Sequence, residues 1–150
     1  MFDYYQALMD IEERLNNILR VGTISSANAE EGTVRVLFRD KDSMVSYDLP
    51  VLVRQTLRNK DYFIPDVGEQ VLCVFLPNGM EQGFCLGAMY NAKDKPTIGD
   101  PNKRRIDFED GTWIEHDRSS GATTVHSTGD IVIESESHIT LQAPRIDLNS

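Results

Sequence analysis

Three histidines and two cysteines are the side chains of this 150-residue sequence best suited to nucleophilic, acid–base or metal chemistry. His116 lies between Glu115 and Asp117, His126 stands alone, and His138 follows Ser137. Catalysis needs a nucleophile, a base and an orienting group that converge in a cleft. Serines and aspartates are plentiful, but no G-x-S-x-G, H-E-x-x-H or glycine-rich phosphate loop organises them. Glu134 and Glu136 share one face of a strand-like run, facing away from the apolar side, with no pocket implied between them. Alternation puts His116 on the same side as Ile114, so copies of the chain meeting on an axis could bring imidazoles together. The plainer reading is a strand histidine, and no metal site or cofactor is assigned. Cys73 and Cys85 each sit inside an apolar run and neither belongs to a CxxC. They read as buried, reduced thiols, in keeping with synthesis in a cytoplasm. No enzyme is expected.

The elements that must carry these residues are bounded by composition. A chain of this length makes one ordinary domain, or a small domain with an appendage. Its formal net charge of −9 disfavours non-specific attraction to nucleic acid or anionic membranes. The N-terminus lacks a basic-then-apolar leader, and no apolar run approaches membrane-spanning length.

Residues 1–20 predict a helix over 2–20. Tyr4, Leu8, Ile11, Leu15 and Ile18 follow 4-3-4-3 spacing, a short heptad seam. Such a helix either packs on its own domain or docks on a partner or on its own copies, and two heptads leave both open. Residues 21–90 predict five strands: "VGTISSAN", "GTVRVLF", "MVSYDLPVLV", "EQVLCVFL" and "GFCLGAM". Asn78-Gly79, after Pro77, supplies the last hairpin turn. The link "RQTLRNKDYFIPDVG" has room for a helical turn before Pro65 and Gly68. Three strands, a longer link and two more is the order of an OB-fold barrel. An OB barrel that binds nucleic acid needs a basic groove and exposed aromatics. Arg54, Arg58 and Lys60 near Tyr62 and Phe63 are a modest cluster against an acidic chain, and no nucleic-acid partner is expected. Residues 91–105 form a Pro/Gly linker, too short for an inserted domain.

In residues 106–150 the period-two signature returns. Ile131 and Ile133, Ile139 and Leu141, and Ile146 and Leu148 each mark a short strand with only two apolar residues. Such strands cannot close a core within one chain, and a lone ladder leaves bare edges.

Particular residues carry a resemblance. "VGTISSANAEEGTVRVLF", "YDLPVLV" and "FIPDVGEQVLCVFLPNGMEQGFCLGAMYNAKDKP" resemble the OB domain of phage baseplate assembly protein V, the central spike of contractile tails, related to the spike part of VgrG. The specific parts are P-D-V-G-E-Q-V, N-G-x-E-x-G-F-x-L-G and Y-N-A-K-D-K-P. They include Gly68 as the turn opening the fourth strand, with Gly83 and Gly87 flanking the fifth. The D-G-T at Asp110 and the later Gly129-Asp130 are similar to that family's needle segment.

The resemblance implies a mainly β chain with an N-terminal helix, a five-stranded OB barrel and an intertwined trimeric β-helix, or β-prism, needle. In a homotrimer each short strand is flanked by strands of other chains, and the alternate apolar residues fill a thin dry centre. Alternation nominates Ile106, Phe108, Ile114, Val125, Ile131, Ile133, Ile139, Leu141, Ile146 and Leu148 for that centre. The outward positions of 106–150 hold nine carboxylates against Arg118 and Arg145, which reads as a solvated face.

The implied role is a structural, non-enzymatic spike that helps puncture a target cell envelope. It would be made in the bacterial cytoplasm and assembled into the baseplate of a phage tail, tailocin or related injection particle. The implied partners are a hub protein above the OB domain, transient contact with the envelope, and a separate PAAR-like tip protein. That tip protein would meet Ile146, Asp147, Leu148, Asn149 and Ser150, because the His-x-His tip common in the family is not found here. A trimeric OB-type module for nucleic acid or carbohydrate is the alternative.

Overall fold

Asp3 starts the first element. Its carboxylate accepts from the backbone N–H groups of Tyr5 (3.0 Å) and Gln6 (3.4 Å), capping α1 (Tyr4–Ile18) in a run rich in strong helix formers. This computed structural model describes residues 3–40, 43–77 and 82–149, and its chain divides into two compact units between Lys95 and Pro96.

The helix ends earlier than 20. Leu19 is extended and opens β1 (Leu19–Asn28), and Arg20 already pairs with Cys73 on the neighbouring strand. Arg20 turns inward, buried, with its guanidinium 4.1 Å over the Phe38 ring and 2.8 Å from Asp40. Its long side chain packs as apolar surface while the charge keeps a partner.

The first unit is one six-stranded sheet. Its path runs β3-β2-β1-β5-β6, with β2 (Thr33–Phe38), β3 (Met44–Val45), β5 (Gln70–Phe75) and β6 (Gly83–Ala88), while β4 (Leu49–Pro50) also pairs with β2. All these ladders are antiparallel. Just past β4, Val51 makes a single parallel bridge to Cys85, and the Leu52 N–H donates to the Cys85 carbonyl at 2.9 Å. Residues of every strand but β3 form the core: Ile24, Val34, Val36, Phe38, Leu49, Val71, Cys73, Phe75 and Cys85, with Phe38 edge-on to Phe75. Where β1 crosses β2, a Cβ on Gly22 would lie 2.5 Å from Val36 Cγ1 and 2.7 Å from the Leu37 carbonyl oxygen. Only a bare glycine permits that approach.

Two expectations fail here. The third strand is not continuous: Ser46 puts its hydroxyl on the Val36 N–H (2.9 Å), so β3 stops at Val45 and pairing resumes at Leu49. The link after it holds no helical turn among the described residues. An isolated Thr56–Lys60 bridge and an Arg54–Asp61 ion pair (3.0 Å) fold it back on itself instead. The turn expected at Asn78-Gly79 lies outside the described residues. Gly68, with φ +98°, does open β5 in a turn, as the resemblance implies.

The second unit is a meander, β7-β8-β9, with β7 (Lys103–Asp107), β8 (Trp113–Asp117) and β9 (Ala122–His126). Its first strand begins at Lys103, inside the stretch expected to be linker. Residues 127–149 follow with no strand assignment, and no described residue of this unit belongs to a buried apolar core.

Candidate functional site

The β7-β8 turn rests on one carboxylate. Asp110 accepts from the Thr112 N–H (2.8 Å) and hydroxyl (3.1 Å), and from the Thr128 hydroxyl (3.3 Å). These donors, led by the Thr112 N–H, hold its carboxyl below the usual aspartate range. Gly111 adopts φ +90°, a conformation that costs other residues strain, which explains the D-G-T run. The β8-β9 turn is built likewise: Asp117 accepts from the Ser119 hydroxyl (2.6 Å) and N–H (2.8 Å), and its carboxyl is also held low, first by that hydroxyl.

These turns fix a register that sorts the side chains onto two faces. On one face the ladder aligns Ile106, Ile114 and Val125 in a row, with Arg104, His116 and Thr123 in the next. On the other it aligns Asp107, Trp113 and His126, then Arg105, Glu115 and Thr124, then Lys103, Asp117 and Ala122.

The second face is finished by the chain's own residues. Glu115 is only 9 % exposed and takes Lys103 Nζ at 3.1 Å on one oxygen and Arg105 Nη1 at 3.3 Å on the other. Arg105 also bonds Asp107 (2.8 Å) and lies 4.3 Å over the Trp113 ring, whose other neighbour, His126, stacks at 5.3 Å. Asp107 receives the Thr97 hydroxyl at 2.6 Å, the main cause of its lowered pKa. The reading of this face as a plain solvated one is therefore corrected at Glu115, which is buried between two cations. A charge count begun at residue 106 leaves out Lys103 and Arg105. The period-two alternation that picks Ile106 and Ile114 also assigns these partners to the opposite side.

The first face has no such finish. Ile106 is 57 % exposed, Ile114 40 % and Val125 54 %, although the three lie side by side. Phe108, just beyond β7, is also exposed. Ile131, Ile133, Ile139, Leu141, Ile146 and Leu148 are exposed along a segment that makes no ladder among the described residues. The structure thus brings three of the ten nominated centre positions together and leaves the later six apart. Among the residues nominated for a tip contact, Asp147 pairs with Arg145 at 2.9 Å, Leu148 and Asn149 are exposed, and Ser150 lies outside the described residues.

Of the residues with reactive chemistry, His116, His126, Cys73 and Cys85 are engaged in structure, while His138 is exposed. His116 Nδ1 shares a 2.8 Å hydrogen bond with the Thr123 hydroxyl. Cys73 and Cys85 face each other across β5 and β6, both free and fully buried. Contact with Cys85, together with burial, pushes the Cys73 thiol above the ordinary range. Among the described residues no group of three His, Cys, Asp or Glu could hold a metal ion, and no helix is long and apolar enough to cross a membrane.

The sequence is similar to the spike protein of Escherichia phage P2. The two are 24 % identical over 137 residues, which is 91 % of this chain and 64 % of the phage protein. The chain therefore spans somewhat less than two thirds of that relative's length. No family model matches it. The matched span is long enough to take in residues of both units, the sheet around Cys73 and the two-faced meander.

Proposed function

We propose that this chain is a structural spike subunit of a phage-type tail baseplate, working as a homotrimer with no reaction of its own. The observation that carries the reading is the contrast between the faces of β7-β8-β9. One face is satisfied by ion pairs and ring stacking within the chain. The other presents an apolar row that the chain leaves uncovered, ahead of more than twenty residues of alternating apolar pattern without a partner. Three copies winding around one axis cover the row and give the trailing segment strands to pair with. Similarity to the phage P2 spike protein over 91 % of this chain supports the same role.

In this reading residues 106–150 form the intertwined β-prism needle, with the ten alternate apolar residues on its axis. The sheet of the first unit is an OB-type barrel drawn toward closure at the Val51–Cys85 bridge, and a hub protein binds on its side. The needle's far end, Ile146–Ser150, receives a PAAR-like tip protein. The chain is made in a bacterial cytoplasm and assembled into a tail or tailocin particle that contacts the target envelope during injection.

Native mass measurement of the intact chain tests the assembly. The expected species is three times the 17.0 kDa chain. A monomer at micromolar concentration refutes the reading. A trimer that shifts nucleic acid on a gel and is absent from particles favours the binding-module alternative.

A further inference from the structure

Helix α1 is a 15-residue element with no buried residue. Its Leu8, Ile11 and Leu15 are 64 %, 54 % and 63 % exposed, so the middle of the seam is left uncovered by the first unit, while Ile18 at its end is half-buried. Resting on the trimer reading above, we infer that the seam is covered by the same helix of the other two copies, in a short parallel three-helix bundle.

Three observations converge on copies of this chain as the occupant. In heptad terms Leu8 and Leu15 take the a positions while Ile11 and Ile18 take d, and leucine at a with isoleucine at d favours three or four strands over two. Where the helix runs along a threefold axis, the rotation sets three copies parallel and in register, the arrangement a heptad seam needs. The area fits an accessory contact: with about 100 Å² removed from water for each of Leu8, Ile11 and Leu15, three chains bury about 900 Å², short of a free-standing interface but enough to add to one. A helix of this length is marginal alone, so the bundle depends on the rest of the trimer holding the three copies at high effective concentration.

The test uses the full chain carrying Leu8→Cys, with Glu13→Cys on the opposite side of the helix as control. The native cysteines are fully buried and do not compete. In trimeric protein, mild oxidation should join Leu8→Cys chains into disulfide dimers more than about tenfold faster than Glu13→Cys chains, at a rate independent of protein concentration. Because three thiols give one bridge, joining should stop near two thirds of the chains. Leu15→Asp should lower the melting temperature of the trimer. If the protein is trimeric by mass but the two cysteine variants cross-link alike and Leu15→Asp melts as wild type, the inference is overturned while the spike reading stands. The seam would then belong to another protein, such as a hub. A monomeric wild type overturns both.

Discussion

Truncating Ile114 separates an uncovered row from a covered one. Ile114 is the middle member of the row, flanked by Ile106 and Val125. It is 40 % exposed in the single chain. If solution leaves it so, Ile114→Ala trims a half-exposed side chain at a cost of about 1 kcal/mol or less. If three copies meet over it, the change hollows a packed centre, at about 2–5 kcal/mol per chain. Three identical sites then lose on the order of 6–15 kcal/mol per trimer, as much as the whole stability of a small protein. The control is Thr124→Ala on the finished face, expected within about 0.5 kcal/mol of wild type. Thermal unfolding at two protein concentrations about a hundredfold apart reads both effects, because a trimer that unfolds as it dissociates melts higher when more concentrated. Equal shifts for the two variants, or a wild-type midpoint indifferent to concentration, would refute the reasoning.

Acid should weaken the meander. Asp107, Asp110 and Asp117 all have folded pKa values below their unfolded ones, so the unfolded chain binds more protons as pH falls. Their contribution is complete above the ordinary aspartate value of about 3.9 and lost as pH drops through the depressed folded values. Melting curves between pH 5 and 2 should show the loss, and Asp110→Asn should shrink it; an unchanged pH slope counts against the turn assignment. Gly111→Ala should destabilise the same unit by roughly 1–2 kcal/mol through its φ of +90° alone, since a Cβ there meets Thr128 Cγ2 at an ordinary 3.5 Å. Neutral urea unfolding would contradict that. Along the trailing segment, Ile133→Asp should prevent trimer formation by putting three carboxylates on one dry axis, while Glu134→Lys should be tolerated within about 0.5 kcal/mol per chain. Native mass and melting decide: identical behaviour of the two refutes the inward placement of Ile133, and the opposite order means the faces are reversed.

Local pattern carried much of this structure. The spacing of Ile106, Ile114 and Val125 predicts one shared face, and the ladder aligns them there because the D-G-T turn and the Asp117 turn set the register. The apolar runs around Cys73 and Cys85 predict buried thiols, and both are fully buried. Sequence reading failed where a polar side chain took a role that its type does not announce. Ser46 replaces a ladder acceptor and splits a strand, Arg20 turns into the core, and Glu115 draws in cations from a stretch taken as linker. In residues 127–149 the alternation states that strands need neighbours without naming them. Among the described residues of one chain those neighbours are missing, so the pattern is legible while the pairing is not.

The one-sided finish of β7-β8-β9 also sets an order of events. Its contacts are local, two hairpins linked by tight turns, and such units form in microseconds without waiting for another chain. In the proposed trimer each subunit can thus meet its partners with this plate already formed, polar side closed and apolar side open. Docking three plates is then the slow, concentration-dependent step. In the needle proposed above, the trailing segments wind together afterwards, starting from the plates and running toward Asn149. Assembly acquires a direction, and a chain whose plate is damaged stalls at the start rather than tangling at the end.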